Sequence, residues 1–92
     1  MLAKLPAELD NLDPKTMDKE ILRAGVIAEL DAINFYEQMA AKASDPLIKK
    51  VLMAVAKEEK EHVGEFESLL FKLDPEQSQE YEEGKKEVEE ME

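Results

Sequence analysis

The chain of 92 residues has a formal net charge of -11 at pH 7 and contains no cysteine. The charge argues against nucleic acids and anionic membranes as partners, and the absence of cysteine excludes disulfides and thiolate metal sites. The chain also lacks an apolar run of about 20 residues and a signal peptide, so we expect one small soluble, intracellular domain.

Three Asp-Pro pairs divide the chain. They are Asp13-Pro14, Asp45-Pro46 and Asp74-Pro75. Each pair favours the start of a helix, because Asp is a good N-cap and Pro fits the first helical turn. Each also ends the preceding helix, because the residue before Pro avoids the α conformation. Ahead of the first pair, residues 1–12 show no clear periodicity and are interpreted as an N-terminal arm.

The two segments between these pairs are rich in Ala, Leu, Glu, Lys and Met, which are strong helix formers. They predict α-helices near residues 16–43 and 46–73, each about 42 Å long at a rise of 1.5 Å per residue. The short turn at Ser44 and Asp45 predicts that the two helices are antiparallel. The predicted fold class is therefore all-α, with residues 13–75 forming a two-helix hairpin.

The remaining segment, residues 76–92, is an acidic tail with its own composition. Residues 74–92 carry nine acidic and two basic side chains, whereas residues 1–73 carry fourteen and ten. The tail has helical propensity, but it contains few apolar residues and is interrupted by Gly84. Two interpretations stay open, namely a solvated or frayed helix and a linker or docking segment.

Each predicted helix carries an apolar stripe with a polar interruption near its middle. The spacing alternates between three and four residues, which suits helices packed about 20° from antiparallel. The first stripe comprises Leu22, Val26, Glu29, Ile33, Tyr36, Ala40 and Ala43, and the second comprises Leu52, Val55, Glu59, His62, Phe66, Leu69 and Leu73. Folding the hairpin about residue 45 brings Glu29, Glu59 and His62 to one level.

Glu29, Glu59 and His62 are therefore candidate metal ligands. Two neighbouring carboxylates inside a bundle repel each other and lose hydration unless a positive charge compensates. No Lys or Arg lies on either stripe near this level. The Glu-x-x-His spacing places an oxygen and a nitrogen ligand on one helix face. Carboxylates combined with imidazole suit iron or manganese, and they also accept zinc.

Three ligands amount to half of a known type of site. In ferritin-like di-iron bundles, two helices each supply a Glu and two others each supply Glu-x-x-His. Two chains related by a two-fold axis would supply four Glu and two His around two metal ions. We therefore predict a dimer that completes both a four-helix bundle and the metal site.

The segments "AGVIAELDAINFYEQMA" and "VAKEEKEHVGEFESLL" resemble the encapsulated ferritins. The resemblance covers roughly residues 16–75. It implies that Glu29, Glu59 and His62 bind iron. We expect Glu29 to bridge two irons, and Glu59 and His62 of each chain to bind one iron together as terminal ligands. It also implies that Tyr36, which alone would be interpreted as core packing, reaches the metal site from the dimer partner.

The same resemblance implies an activity and an assembly. Family members are ferroxidases that oxidise Fe(II) to Fe(III), each pair of irons giving two electrons to O2. They form ring-shaped homo-oligomers of dimers, and we expect a decamer here. They pass iron for storage to an encapsulin shell protein, which places them in the cytoplasm, inside an encapsulin nanocompartment.

Two other functions stay open on the sequence. One is a rubrerythrin-like di-metal peroxidase that uses an external electron donor, since the chain has no cysteine for a rubredoxin centre. The other is a non-catalytic metal-stapled helical assembly or cargo module, in which zinc or manganese is structural. Aerobic addition of Fe(II) separates these classes, because only a ferroxidase turns over iron with O2.

The acidic tail lacks the short apolar-containing encapsulin-targeting peptide with which free-standing members of the family end. We therefore expect either a fusion to the shell protein or a different docking signal.

Two glycines fall at one level near the candidate ligands. A glycine inside a helix costs roughly 1 kcal/mol relative to alanine, so Gly25 and Gly64 call for a reason. We interpret them as marking a close approach of the two helices, with metal access as the alternative.

Overall fold

The computed structural model describes residues 12–92, and this range contains three α-helices: α1 (Pro14–Lys42), α2 (Pro46–Leu73) and α3 (Pro75–Met91). The all-α fold class is confirmed. The first helix begins two residues earlier than predicted and ends one residue earlier, and the second has the predicted bounds. Apart from Leu12, the predicted N-terminal arm lies outside the described residues.

Each helix begins at an Asp-Pro pair, and the aspartate is its N-cap. The carboxylate of Asp13 accepts a hydrogen bond from the backbone N–H of Thr16 at 3.0 Å. The carboxylates of Asp45 and Asp74 accept equivalent bonds from N–H groups in their own first turns. These bonds satisfy donors that have no partner within the helix, so the pairs fix where α1, α2 and α3 start.

Helices α1 and α2 pack together over a small core. The buried apolar side chains among the described residues are Ala32, Ile33, Ala40, Ala56 and Leu70. Three of these five are alanine, so the helices approach closely but enclose little apolar volume. A surface ion pair between Lys60 and Glu37, 3.2 Å apart, also joins the two helices.

The predicted second stripe is wrong at one position. Leu69 is 50% exposed, and Leu70 occupies the buried position instead. A straight α-helix has 3.6 residues per turn, so its buried face drifts by about 20° per heptad relative to a repeat of 3.5. Over the 18 residues from Leu52 to Leu70 this drift amounts to about 50°, half of the rotation between successive residues, and it turns the buried face toward Leu70.

Helix α3 is continuous through Gly84, so the acidic tail is helical. The rings of Phe71 on α2 and Tyr81 on α3 lie 5.2 Å apart, centroid to centroid. At the junction, the guanidinium of Arg23 on α1 donates to the carboxylate of Asp74 at 2.9 Å. Among the described residues, one aromatic contact and one ion pair thus attach the tail to the end of the hairpin where α1 begins and α2 ends.

Many large apolar side chains remain exposed on all three helices. Those at least half exposed are Ile27, Leu30, Phe35, Leu47, Ile48, Val51, Leu69, Val88 and Met91. Of the helices described, none combines the length and the apolar character needed to cross a membrane. Exposed apolar surface of this extent is typical of contacts with other protein molecules.

Candidate metal centre

The three predicted ligands meet between the middles of α1 and α2. Glu29 comes from α1, and Glu59 and His62 lie three residues apart on α2. One ligand atom from each of them lies within 4.8 Å of the other two. These side chains therefore lie together, as predicted from their distances in sequence from the turn at residue 45.

The imidazole of His62 is central to the cluster. Its Nδ1 atom lies 3.4 Å from Glu59 Oε2 and 3.6 Å from Glu29 Oε2. Ligand atoms bound tetrahedrally at about 2.1 Å from a metal ion are separated by about 3.4 Å. The two distances from His62 are therefore of the size expected between ligands of one metal ion.

The burial of the cluster is uneven. The side chains of Glu29 and Glu59 are each 18% exposed, whereas that of His62 is 43% exposed. Among the described residues, Glu29 Oε2 is buried and has no hydrogen-bond partner. A buried carboxylate oxygen without a partner is costly, and a bound cation removes that cost. The donor set and this oxygen therefore fit a metal ion.

The neighbouring carboxylates point elsewhere. Glu58 and Glu61, which lie beside the two α2 ligands in sequence, are exposed. They project from the helix at angles well away from Glu59 and His62 because successive residues are rotated by about 100°. They provide natural controls for any experiment on the ligands.

Tyr36 is half-buried on α1, with its ring against the edge of Phe35 at a centroid distance of 6.2 Å. It lies seven residues beyond Glu29, which is about 10 Å along the helix axis. Within one chain it is therefore the predicted site residue that is not brought to the cluster. Its role at the metal stays a prediction, because that role requires a second chain.

The two glycines near the cluster differ. A Cβ atom added at Gly25 would lie 3.2 Å from the ring of Phe66, whereas one at Gly64 would meet nothing within 4 Å. The predicted close approach holds for Gly25 and is wrong for Gly64 within a single chain. Phe66 belongs to the predicted apolar stripe, but residue spacing does not predict that it is the neighbour of Gly25.

The EncFtn-like family model matches residues 4–83. This chain belongs to the encapsulated-ferritin (EncFtn-like) family. The resemblance seen in the sequence is thereby confirmed.

Two relatives show how far this encapsulated-ferritin chain extends along longer proteins. The "Ferritin-like-encapsulin shell fusion protein" of Pyrococcus furiosus is 50% identical over 93 residues, which cover 99% of this chain and 27% of that protein. The "Encapsulin nanocompartment cargo protein EncC" of Myxococcus xanthus is 39% identical over 72 residues, which cover 74% of this chain and 55% of that protein. The chain therefore spans only part of the length of either relative.

A solved structure supports the fold of this encapsulated-ferritin chain. The crystal structure of the encapsulated ferritin domain from Pyrococcus furiosus superposes with a TM-score of 0.82 at 51% sequence identity. The match covers 95% of this chain and 92% of that one. A match that covers so much of both chains includes all three helices, so α3 is part of the shared fold.

Proposed function

We propose that this chain is a ferroxidase that oxidises Fe(II) to Fe(III) at a di-iron site shared by two copies. The observation that supports this most strongly is the buried oxygen of Glu29, which lacks a hydrogen-bond partner among the described residues and faces the imidazole of His62. Carboxylate and imidazole ligands together suit iron. An oxygen that is buried without a hydrogen bond is better suited to metal binding than to packing.

The second chain is needed because one chain provides only half of the ligands. Ferritin-like di-iron sites combine four Glu and two His from four helices, and a two-fold axis through this cluster supplies that set. In the proposed dimer Glu29 would bridge the two irons, while Glu59 and His62 of each chain would together hold one iron. Tyr36 of each chain approaches the site of the other.

The exposed surface around the cluster supports this dimer. The side chain of His62 is 43% exposed, so the cluster opens at the edge of the hairpin. A second hairpin packed against this edge would close the site. Exposed apolar side chains on other sides of α1, such as Ile27, Leu30 and Phe35, are available to further contacts with other copies.

Iron is the substrate in this reaction, and the electrons balance over a pair of ions. Two Fe(II) ions each lose one electron, and one O2 takes up both electrons with two protons to give hydrogen peroxide. The carboxylates of Glu29 and Glu59 favour the product side, because oxygen anions stabilise the more highly charged ion most. Their negative charge also raises the local concentration of Fe(II).

We further propose that the product passes to an encapsulin shell for storage, inside a nanocompartment in the cytoplasm. The names of the two relatives, a shell fusion protein and a nanocompartment cargo protein, support this partner. We propose that the dimers are units of a larger ring, a decamer.

Addition of Fe(II) in air tests the activity, with an anaerobic sample as control. The proposal predicts a rise in Fe(III) absorbance with one O2 consumed for each pair of irons. Tight zinc or manganese binding with no iron turnover would favour a structural metal site instead. Faster consumption of hydrogen peroxide than of O2 would favour a rubrerythrin-like peroxidase.

A further inference from the structure

Near the cluster, Gly25 on α1 lies against the ring of Phe66 on α2. A Cβ atom at Gly25 would lie 3.2 Å from Cδ2, 3.3 Å from Cε2 and 3.4 Å from Cγ of the Phe66 ring. Contacts of 3.0–3.4 Å are tighter than nine in ten that real Cβ atoms make. Only glycine therefore lets α1 approach this ring so closely without displacing it.

This contact lies one helical turn from the candidate ligands on both helices. Gly25 comes four residues before Glu29 on α1, and Phe66 comes four residues after His62 on α2. Because the helices are antiparallel, the contact and the ligands occupy adjacent levels, about 6 Å apart along the axis. The distance between the helices at the ring therefore sets their distance at the metal site.

The size of the displacement matters. An alanine at position 25 would require Phe66 to move by a few tenths of an ångström. Metal–ligand distances in proteins are held to within about 0.2 Å. A separation of the helices by even part of that displacement is therefore enough to pull Glu29 away from a metal ion held by Glu59 and His62.

We propose that Gly25 and Phe66 are positioning residues for the metal centre. Their contact holds α1 against α2 at the separation at which Glu29 shares one ion with the two α2 ligands. Neither residue offers a ligand atom, so both act through Glu29 and His62. This inference rests on the proposed function, because it requires a metal ion at the cluster.

Gly64 provides a matched control. It lies on α2 only two residues from His62, and a Cβ atom there would meet nothing within 4 Å among the described residues. Replacing either glycine by alanine gives the same gain in helix propensity. Only the substitution at position 25 introduces an atom between the helices.

Titration with Co(II), monitored by its visible absorption bands and by calorimetry, tests this assignment. Gly25→Ala should raise the Kd for Co(II) about tenfold or more, in the range found for residues that orient metal ligands. It should also shift the absorption bands, which report the ligand geometry. Gly64→Ala should leave both unchanged. The double variant Gly25→Ala/Phe66→Leu should recover most of the affinity, because the new methyl group occupies space that the smaller leucine vacates and so restores the separation of the helices.

Three results would overturn the positioning role. These are parental Co(II) binding by Gly25→Ala, an equal loss in Gly64→Ala, and failure of the double variant to recover affinity. If Gly25→Ala does not fold, Phe66→Leu alone decides, since loss of the ring should weaken Co(II) binding and unchanged binding would contradict the proposal. A parent protein that binds no Co(II) would refute the metal centre itself, and the positioning role with it. Normal binding by the parent and by Gly25→Ala alike would refute the positioning role alone.

Discussion

Glu29 occupies an unusual position for a carboxylate. It lies between α1 and α2, where the five buried side chains of the described residues are all apolar. Its Oε2 atom has no hydrogen-bond partner within the described part of the chain. An apolar residue of similar size would pack there without that cost. A glutamate at this position is therefore better explained by what it binds than by what it stabilises.

Removal of any one ligand should abolish rapid Fe(II) oxidation. Glu29→Ala, Glu59→Ala and His62→Ala each take away one of three atoms that lie within 4.8 Å of one another. We expect the initial rate in air to fall by about 100-fold. Mutation of residues that only hydrogen-bond to metal ligands already lowers metal affinity or activity by 10- to 100-fold.

The exposed carboxylates beside the ligands serve as controls. Glu58→Ala and Glu61→Ala should leave the rate close to that of the parent, because both side chains face solvent. A His62→Ala variant that oxidises iron at the parental rate would contradict the assignment.

A neutral isostere of Glu59 should separate metal binding from folding. Glu59→Gln removes one of the crowded negative charges with little change in shape, so the metal-free variant should be at least as stable as the parent at pH 7. A gain of about 1 kcal/mol would raise the melting temperature by about 4–8 °C in a domain of this size. Thermal melts of both proteins in chelator, at equal concentration, measure this. A clearly lower melting temperature would mean that Glu59 stabilises the fold itself.

The sequence predicts that the three candidate ligands lie together, but not the contact that we propose to position them. Glu29, Glu59 and His62 follow from helical periodicity and one turn, because distance along a helix is proportional to residue number. The contact of Gly25 with Phe66 depends on the rotation and separation of the two helices, and neither is encoded in spacing. Tyr36 could be placed only by resemblance, because its proposed neighbours belong to another chain.

At the scale of the elements, local chemistry predicts the helix starts and tertiary contacts decide the rest. The three Asp-Pro pairs act at short range, so all three N-caps were predictable. The sequence does not decide whether α3 forms a stable helix, because this segment has few apolar residues and contains Gly84. Its attachment depends on the contact of Tyr81 with Phe71 and on the ion pair of Asp74 with Arg23, which is distant in sequence.

The attachment of α3 should depend on pH. The hydrogen bond from the backbone N–H of Gln77 lowers the pKa of Asp74 below its ordinary value of 3.8, with help from the charges of Lys19 and Arg23 and against the opposing effect of burial. A carboxylate whose pKa is lowered by folding stabilises the fold fully above pH 3.8. That stabilisation is lost as the pH falls through the lowered pKa. NMR Cα shifts of Pro75–Met91 should therefore move toward coil values in acid below pH 4.

Substitution at the junction tests the same contact at neutral pH. Asp74→Ala removes the N-cap of α3 and its ion pair with Arg23. The start of α3 should therefore fray, while α1 and α2 keep their NMR Cα shifts. Glu82→Ala, an exposed site on the same helix, should leave α3 intact. An unchanged α3 in Asp74→Ala would show that the ring contact alone is sufficient.

At the scale of the whole molecule, the chain exposes more surface than a compact monomer of its mass. Its accessible surface is 7170 Å² at 10.5 kDa, whereas a compact monomer of that mass exposes about 5,400 Å². The radius of gyration of 16.4 Å also exceeds the value of about 12 Å for a compact chain of this length. The excess area is about twice the 800 Å² that one partner buries in a standard interface. The dimer and ring that we propose would cover surface of this extent.

The most direct test of an intersubunit metal centre is native mass spectrometry, which gives the oligomer mass and the metal count together. Because metal binding stabilises the state that binds it, chelator should shift the protein toward monomer. Anaerobic Fe(II), or Co(II) as a redox-inert substitute, should restore oligomers of even chain number with one metal ion per chain, and His62→Ala should fail to assemble. A protein that remains monomeric while binding one metal ion per chain would contradict the shared site.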